Sequence, residues 1–370
     1  MKISILADSF YQNRGGLKIY TYNLIKELMK IDNENEYFLI CFKKLNFDLS
    51  PTVKQIVIPS FGNSERDVIR KLFLLPFFLK LKNFDIFHSI MQFGISWMKI
   101  GKKNILTLPD IIPILYPGFY DKYNYFSFKY ILPKFIRNVD AIITLSENSK
   151  RDMINFLKIP KNKIKVIYLG IDEIFRPIKN AKDILLKKYK IDFPFILHIT
   201  MNEQRTNLIT LLKVFSLLKR KNKVYHKLII LGKIKEKEKL NFLLKKLNLL
   251  NDVLVLGFIP REDQPLFYSS ADLFVSVTHY EGFGLPILEA LACGCPVITS
   301  NVSSLPEIVG KSGILLDPSD TSSLYRNILE LIEDHKKRKQ MNKEGLKIAK
   351  KFTWNKTAED TLKIYRELNM

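Results

Sequence analysis

The chain has 370 residues, more than one ordinary hydrophobic core serves, so about two domains are expected. Apolar residues make up 47% and mean hydropathy is −0.02, the values of a soluble globular protein with ample core material. The formal net charge of +22 admits nucleic acid, an anionic membrane surface or an anionic substrate as partner, and equally a lysine coat on solvated helices such as 235–246 and 336–351.

Residues 2–7, KISILA, read as a compact apolar strand and not as the start of a signal peptide. No run in the chain approaches the ~18 apolar residues that span a bilayer. The expected compartment is therefore the cytoplasm, free or at the inner face of the membrane. A polar loop, 8–16, leads to a helix with apolar positions Ile19, Tyr22, Leu24, Ile25 and Leu28. Strand, glycine-containing loop and helix in that order predict a doubly wound α/β fold, with ligands at the carboxyl ends of its strands. Gly15 and Gly16 either let backbone approach a phosphate or simply make a turn. There is no G-x-G-x-x-G, so a dinucleotide fingerprint is absent.

Strands follow at 37–42 and 55–59. Residues 68–82 place an aromatic and aliphatic centre between Arg70, Lys71, Lys80 and Lys82. Pro76 excludes a long straight helix there. The stretch reads either as a helical pair packed in the domain or as an interfacial patch on anionic lipid. Residues 84–88 and 105–108 are further strands. Asp110 follows the second of these, as a functional carboxylate or as a turn and cap residue. Residues 116–135 are dense in aromatics and lysines, which suits a base-stacking surface or an irregular helical region. A strand at 140–146, a helix at 147–156 and a strand at 164–169 precede the exit from the first domain at 170–177. Residues 178–193 are charged, with one short helix, and read as a linker.

Residues 195–199 open a second doubly wound unit. The loop after them, TMNEQRTNL, carries Arg205, a cation able to face an anion or a solvated arginine at a helix start. Strands at 227–231 and 253–257, a loop at 258–260, a helix at 266–271 and a strand at 273–277 lead to the most informative stretch, 280–301. It opens on Glu281-Gly282-Phe283-Gly284. Pro286 suits a first helical position, and Leu288, Leu291 and Ala292 recur at helical spacing until Gly294 and Pro296 stop them. Residues 296–299 are a buried strand. The amides of Gly284, Leu285 and Ile287 and the helix dipole make this start suitable for an anion. Carboxylates at Glu281 and Glu289 can accept from sugar or ribose hydroxyls on either side of a phosphate. The alternative is a solvated loop residue and a surface helix residue. Cys293 and Cys295, with Cys41, are too few for a disulfide scaffold and lack a partner pair for a metal, so buried reduced thiols are expected. Residues 303–307 start a helix with Ser as cap and Glu in its first turn. The last segment, 353–368, is amphipathic.

The E-x7-E spacing of Glu281 and Glu289, in the context EGFGLPILEALACGCPVI, resembles the retaining family-4 glycosyltransferases of the GT-B fold, also called glycosyl transferases group 1. LGFIPREDQPLFYSSADLFV before it, SNVSSLPEIVGKSGILLDP after it and FTWNKTAEDTLKIYREL at the end fit the same family. The resemblance covers nearly the whole chain and implies two doubly wound Rossmann-like α/β domains facing across a cleft. The first, 1–177, would be the acceptor side, with 354–370 crossing back onto it; the second, 178–353, would bind the nucleotide-sugar. The implied reaction moves a hexose, with retention and without a metal or other cofactor, to a glycan or lipid-linked acceptor in surface polysaccharide or lipopolysaccharide assembly. The patterns lean towards GDP-mannose, with a UDP-sugar as the alternative.

By the same resemblance Glu289 binds the ribose and Glu281 the donor sugar. The Gly284 and Leu285 amides with Arg205 hold the diphosphate, Gly282 and Phe283 belong to the same donor-binding loop, Gly15 and Gly16 face the diphosphate, and Phe258 meets the base. Glu281, Arg205 and Asp110 form the implied catalytic set. Two departures stand out. Pro109 replaces the histidine that usually precedes Asp110. In the loop pattern G-x-x-E-P-R-K-N-L, Glu203, Arg205, Asn207 and Leu208 match, but Thr200, Gln204 and Thr206 replace Gly, Pro and Lys. Those departures motivate a second reading, a degenerate member that binds nucleotide or glycan without transfer. A nucleic-acid binder rests on charge alone, with no helix-turn-helix, zinc or RNP-type motif behind it. A glycosidase-like carboxylate pair fits poorly, because the two glutamates flank a phosphate-type nest.

Overall fold

The computed structural model describes residues 1–11, 15–45, 53–58, 75–90, 98–200, 204–222 and 224–370. The chain forms two compact units, residues 1–170 with 353–370, and residues 171–352. The segment 171–177, read above as part of the first domain, thus packs with the second.

In the first unit the described strands are β1 (Lys2–Leu6), β2 (Glu36–Cys41), β3 (Lys54–Val57), β4 (Ile86–Ser89), β5 (Lys103–Thr107), β6 (Ala141–Thr144) and β7 (Ile164–Val166). They make one parallel sheet in the order β3-β2-β1-β4-β5-β6-β7. Runs such as Ile3, Ile5, Leu6 and Leu39, Ile40, Cys41 are fully buried. Continuous apolar strands are what a parallel sheet covered on both faces needs.

The helix Gly16–Ile31 buries Tyr20, Thr21, Leu24, Ile25 and Leu28. Tyr22, expected on that face, is exposed instead, because Tyr20 and Leu24 already define the buried stripe at i and i+4. The C-terminal helix Trp354–Asn369 packs on this helix and belongs to the first unit. Gly170 lies so close to its start that a Cβ would sit 2.1 Å from the Trp354 nitrogen. Inside, the Tyr365 hydroxyl meets His88 Nδ1 at 2.7 Å, and His88 Nε2 meets Thr107 Oγ1 at 2.8 Å. Burial pushes His88 down to about 3, so the imidazole is neutral and hydrogen-bonded on both sides.

Only part of the 68–82 stretch is described. Leu75–Lys80 is a short helix with Pro76 in its first turn. Leu75 and Leu79 enter the core, whereas Phe77 and Phe78 are 70% and 52% exposed. Residues 117–136 form a succession of short helical turns.

The second unit holds β8 (Phe195–Thr200), β9 (Lys227–Gly232), β10 (Val253–Gly257), β11 (Leu273–Ser276), β12 (Val297–Ser300) and β13 (Ile314–Leu316), among the described residues one parallel sheet ordered β10-β9-β8-β11-β12-β13. The order reverses direction between β8 and β11, which pair directly. Such a reversal sends the loops after the two strands to opposite faces and opens a crevice at their carboxyl ends. Each unit is doubly wound α/β, as expected.

Candidate functional site

The reversal point of the second unit is where the sequence motifs converge. The loop after β8 carries Arg205, and the loop after β11 carries His279 to Gly284. They are stitched together through backbone. The Arg205 carbonyl accepts from the His279 amide at 2.9 Å and from the Thr278 hydroxyl at 2.7 Å. The Arg205 side chain forms an ion pair with Glu281 and also donates from Nη1 to the Tyr280 carbonyl at 2.8 Å. Both side chains of the pair are largely buried. At that depth the mutual attraction is screened less than in a surface pair, and removing one partner leaves the other poorly solvated.

The loop is held from a third side. The Glu281 amide donates to Ser303 Oγ at 3.0 Å, and the Ser304 hydroxyl is bonded to the carbonyls of Glu281 and Phe283 at 2.9 and 2.7 Å. Ser304, expected to cap its own helix, makes no side-chain cap bond; the hydroxyl is turned to the loop instead. Gly284 stands at φ +106°, where side-chain-bearing residues are strained, and a Cβ there would meet Leu305 Cδ2 at 2.9 Å. It precedes the helix Leu285–Ala292, whose first turn contains Pro286. The amides of Gly284 and Leu285 lie before the first intrahelical bond. Ile287 is different from expectation: its amide already donates to the Gly284 carbonyl at 3.0 Å. The available donors are thus fewer and nearer the glycine loop.

Thr206 stands where a lysine was noted as missing. Its hydroxyl is 2.7 Å from that of Thr200, and the side chain is buried. A lysine here would have to give up that bond and leave the interior. Asn207, at φ +56°, donates to the Pro318 carbonyl at 2.8 Å and so anchors the loop. Glu203 lies outside the described residues.

Glu289 is neither a surface nor a solvated residue, being only 4% exposed. Arg261 Nη1 donates to its Oε1 at 3.1 Å, and the Tyr268 hydroxyl donates to its Oε2 at 3.0 Å. Burial raises its pKa to about 7, against the lowering effect of Arg261 and Tyr268. Burial and the nearby Glu289 also push the Cys293 thiol up; Cys41, Cys293 and Cys295 are all buried and unbridged. Arg261 and Tyr268 were not marked by the sequence reading, since they lie 28 and 21 positions from Glu289 and share no periodicity with it.

Phe258 is partly exposed beside a pocket of about 400 Å³ lined also by Gly232, Lys233, Ile234 and Lys237. The pocket lies at the carboxyl ends of β9 and β10. Gly232 is required there, because at φ +101° a Cβ would fall 1.9 Å from the Thr200 carbonyl oxygen.

Three expected site residues sit in the first unit. Gly15 precedes the helix Gly16–Ile31 at φ 155°, and nothing lies within 4 Å of where a Gly16 Cβ would be. Asp110 accepts from the Ile112 amide at 3.1 Å, the bond of a turn residue. The structure therefore gathers Arg205, Glu281, Gly282, Phe283, Gly284 and Leu285 at one point, and Glu289 on the helix they lead into. Among the described residues no three His, Cys, Asp or Glu side chains cluster as a metal site.

The chain is similar to known proteins over most of its length. Residues 182–348 match the family described as Glycosyl transferases group 1, and residues 14–174 match Glycosyltransferase Family 4. O-antigen chain mannosyltransferase B of Escherichia coli is 32% identical over 270 residues, 72% of this chain and 71% of that protein. The N-acetylgalactosamine-N,N'-diacetylbacillosaminyl-diphospho-undecaprenol 4-alpha-N-acetylgalactosaminyltransferase of Campylobacter jejuni is 30% identical over 266 residues, 70% of this chain and 68% of its own. Among solved structures, Anabaena HepE in complex with UDP and glucose superposes with a TM-score of 0.78 over 99% of this chain and 100% of that one, at 19% identity.

The buried carboxyl yields a stability test. The folded pKa of Glu289, about 7, lies above its ordinary value of 4.5, so the native state holds the extra proton between those pH values. Its contribution is fully present below pH ~4.5 and is lost as pH rises through ~7. Urea denaturation of the wild type and Glu289→Gln from pH 4 to 9 should show the wild type losing stability relative to the variant over that window, then a constant gap. A gap that does not change with pH would contradict the buried, proton-holding carboxyl.

Proposed function

We propose that this chain, which belongs to the glycosyl transferases group 1, moves a hexose from a nucleotide-sugar to a glycan or lipid-linked glycan acceptor in surface polysaccharide assembly. The observation that carries the reading is the reversal point of the second sheet, where the Arg205–Glu281 pair adjoins the amides of Gly284 and Leu285. A diphosphate at that point meets backbone donors, the positive end of a helix dipole and one guanidinium. These groups offset the charge that grows on the departing diphosphate, so the proposed reaction needs no metal. Glu281, held by Arg205, is placed to accept from hydroxyls of the transferred sugar. Gly282 and Phe283 complete the loop, and Phe258 borders the pocket for the base.

Glu289 is the proposed ribose ligand. A carboxylate offers about four lone-pair sites. Arg261 and Tyr268 use one on each oxygen, which leaves one on each for a vicinal diol.

Retention follows if the acceptor oxygen attacks on the face from which the diphosphate departs. The new C–O bond forms as the anomeric C–O bond breaks, and the leaving diphosphate takes the acceptor proton. No protein nucleophile is then required. In the first unit Asp110 shapes the loop after β5, where Pro109 stands in place of a histidine. The mannosyltransferase name of one relative supports GDP-mannose as donor; the UDP in the HepE structure supports a UDP-sugar. The second reading, a nucleotide-binding member without transfer, is favoured by Pro109 and by the buried Thr206.

A lipid-linked acceptor suits one surface of the first unit. Phe77, Phe78 and Leu81 are exposed together beside exposed Lys80 and Lys82. Apolar rings flanked by cations suit the boundary of an anionic bilayer. Such docking would place the reaction at the cytoplasmic face. Among the described residues no helix is long and apolar enough to cross a membrane.

Transfer is tested with GDP-mannose and UDP-sugars against undecaprenol-diphosphate-linked sugar acceptors, with products read by mass spectrometry. Turnover with any pair is expected and rules out the binding-only reading. Arg205→Ala should lower kcat by about 10²-fold or more while changing nucleoside monophosphate affinity little. Equal losses in both would mean Arg205 is not aimed at the leaving group. For the surface patch, the wild type should float with vesicles containing phosphatidylglycerol and not with phosphatidylcholine alone, and Phe77→Ser/Phe78→Ser should stay behind. Flotation unaffected by the double change would contradict the docking surface.

A further inference from the structure

Arg261 has no part in the reaction as proposed, yet it is held by two carboxylates and an aromatic ring. It follows β10. Its Nε and Nη2 donate to Asp172 Oδ2 at 3.0 and 2.5 Å, and its Nη1 donates to Glu289 Oε1 at 3.1 Å. The guanidinium carbon lies 4.8 Å from the centre of the Phe175 ring. Phe175 packs edge-on against Tyr268, at 6.0 Å between centroids, and Tyr268 donates to the other oxygen of Glu289. Asp172, Arg261, Glu289, Tyr268 and Phe175 thus form one closed arrangement.

An arginine facing a lone carboxylate usually binds it with a two-pronged fork. Asp172 takes two of the three available directions here, so a single N–H reaches Glu289. Oε1 therefore keeps an acceptor site, as Oε2 does opposite Tyr268. That is the state a vicinal diol needs.

Charge is the other requirement. A protonated carboxyl turns one acceptor oxygen into a donor. The groups facing Glu289 are Arg261 from the loop after β10, Tyr268 from the helix Gln264–Ser270, Cys293 from the end of its own helix, and Asp172 from the segment 171–177. Arg261 is the cation among these described groups. Burial raises Glu289 and Arg261 opposes it, so the arginine sets how far into the neutral range the carboxylate persists.

We propose that Arg261, clamped by Asp172, is a positioning residue that favours the ionised form of Glu289 and bonds it on one prong only, leaving its carboxylate open to the ribose diol of a nucleotide. The inference rests on the ribose role of Glu289 proposed above, and the two fail separately. The first measurement needs no ligand. With glutamate carboxyl carbons labelled with ¹³C, the resonance absent from Glu289→Gln is followed from pH 5 to 10. Its midpoint should rise by about 1–3 units in Arg261→Met relative to the wild type. Arg261→Lys should stay near the wild type, and Arg261→Gln gives the same upward shift should the Met variant not fold. An unmoved midpoint overturns the inference whatever the nucleotide does.

The second measurement is calorimetric titration with UDP and GDP across the same range. Arg261→Met should bind about tenfold more weakly than the wild type at pH 7 and recover as pH rises through its new midpoint. A loss of equal size at every pH would make Arg261 a packing residue and overturn the proposal. A shifted midpoint with nucleotide affinity unchanged in both Arg261→Met and Glu289→Gln would overturn the ribose role instead.

Discussion

The second unit depends on one constraint, the reversal of strand order between β8 and β11. Two adjacent parallel strands end side by side while their following helices go to opposite faces of the sheet. The loops must part, and their polar groups face each other across the gap. In this chain the gap is closed by Arg205 and Glu281, by the Arg205 carbonyl bonded to the His279 amide and the Thr278 hydroxyl, and by two serines that follow β12. The contacts that shape the proposed diphosphate loop descend from that arrangement. Gly284 can hold its positive φ because Ser304 fixes the carbonyl before it, and the helix Leu285–Ala292 then starts in one place.

The cost of the site is concentrated at Glu289. A carboxyl taken fully out of water and held near neutrality forfeits stability, on the order of 3 kcal/mol for a shift of this size at alkaline pH. Folds tolerate such a loss at functional positions more readily than elsewhere. His88 in the first unit shows the other solution. It is equally buried, but it remains neutral, is bonded on both ring nitrogens and has no charge to solvate. One buried titratable group therefore fastens the C-terminal helix, and the other is left on the edge of ionisation.

Much of the fold was legible because parallel sheets write themselves as short apolar runs. The apolar runs read at 2–7, 195–199 and 227–231 each supply a strand, and the alternation of strands with helices matches the parallel pairing of both sheets. The glycine loop before Pro286 was legible because glycine, proline and a helical repeat are local signals. The bonds across the gap were not. Arg205 and Glu281 are far apart in sequence, and a lone arginine in a polar loop carries no mark of its partner. Arg261 was invisible for the same reason, since its two carboxylate partners lie on elements that only the tertiary fold brings together. Ser304 was misread because a serine before a helix usually caps it, and here two loop carbonyls compete successfully for the hydroxyl. Tyr22 was placed on the wrong side because the helix is buried along Tyr20, Leu24 and Leu28.

The central claim is that this glycine-loop site holds a nucleoside diphosphate through backbone amides, Arg205 and the Glu289 carboxylate. The most direct test is a thermal-shift titration with GDP, UDP, ADP and CMP, run on the wild type beside Glu289→Ala. A ligand that binds only the folded state raises Tm in proportion to the logarithm of its concentration once saturating. One nucleotide should stabilise the wild type in that manner and leave the variant unmoved, which would also fix the base. No shift with any of the four, or the same shift in both proteins, would contradict the account.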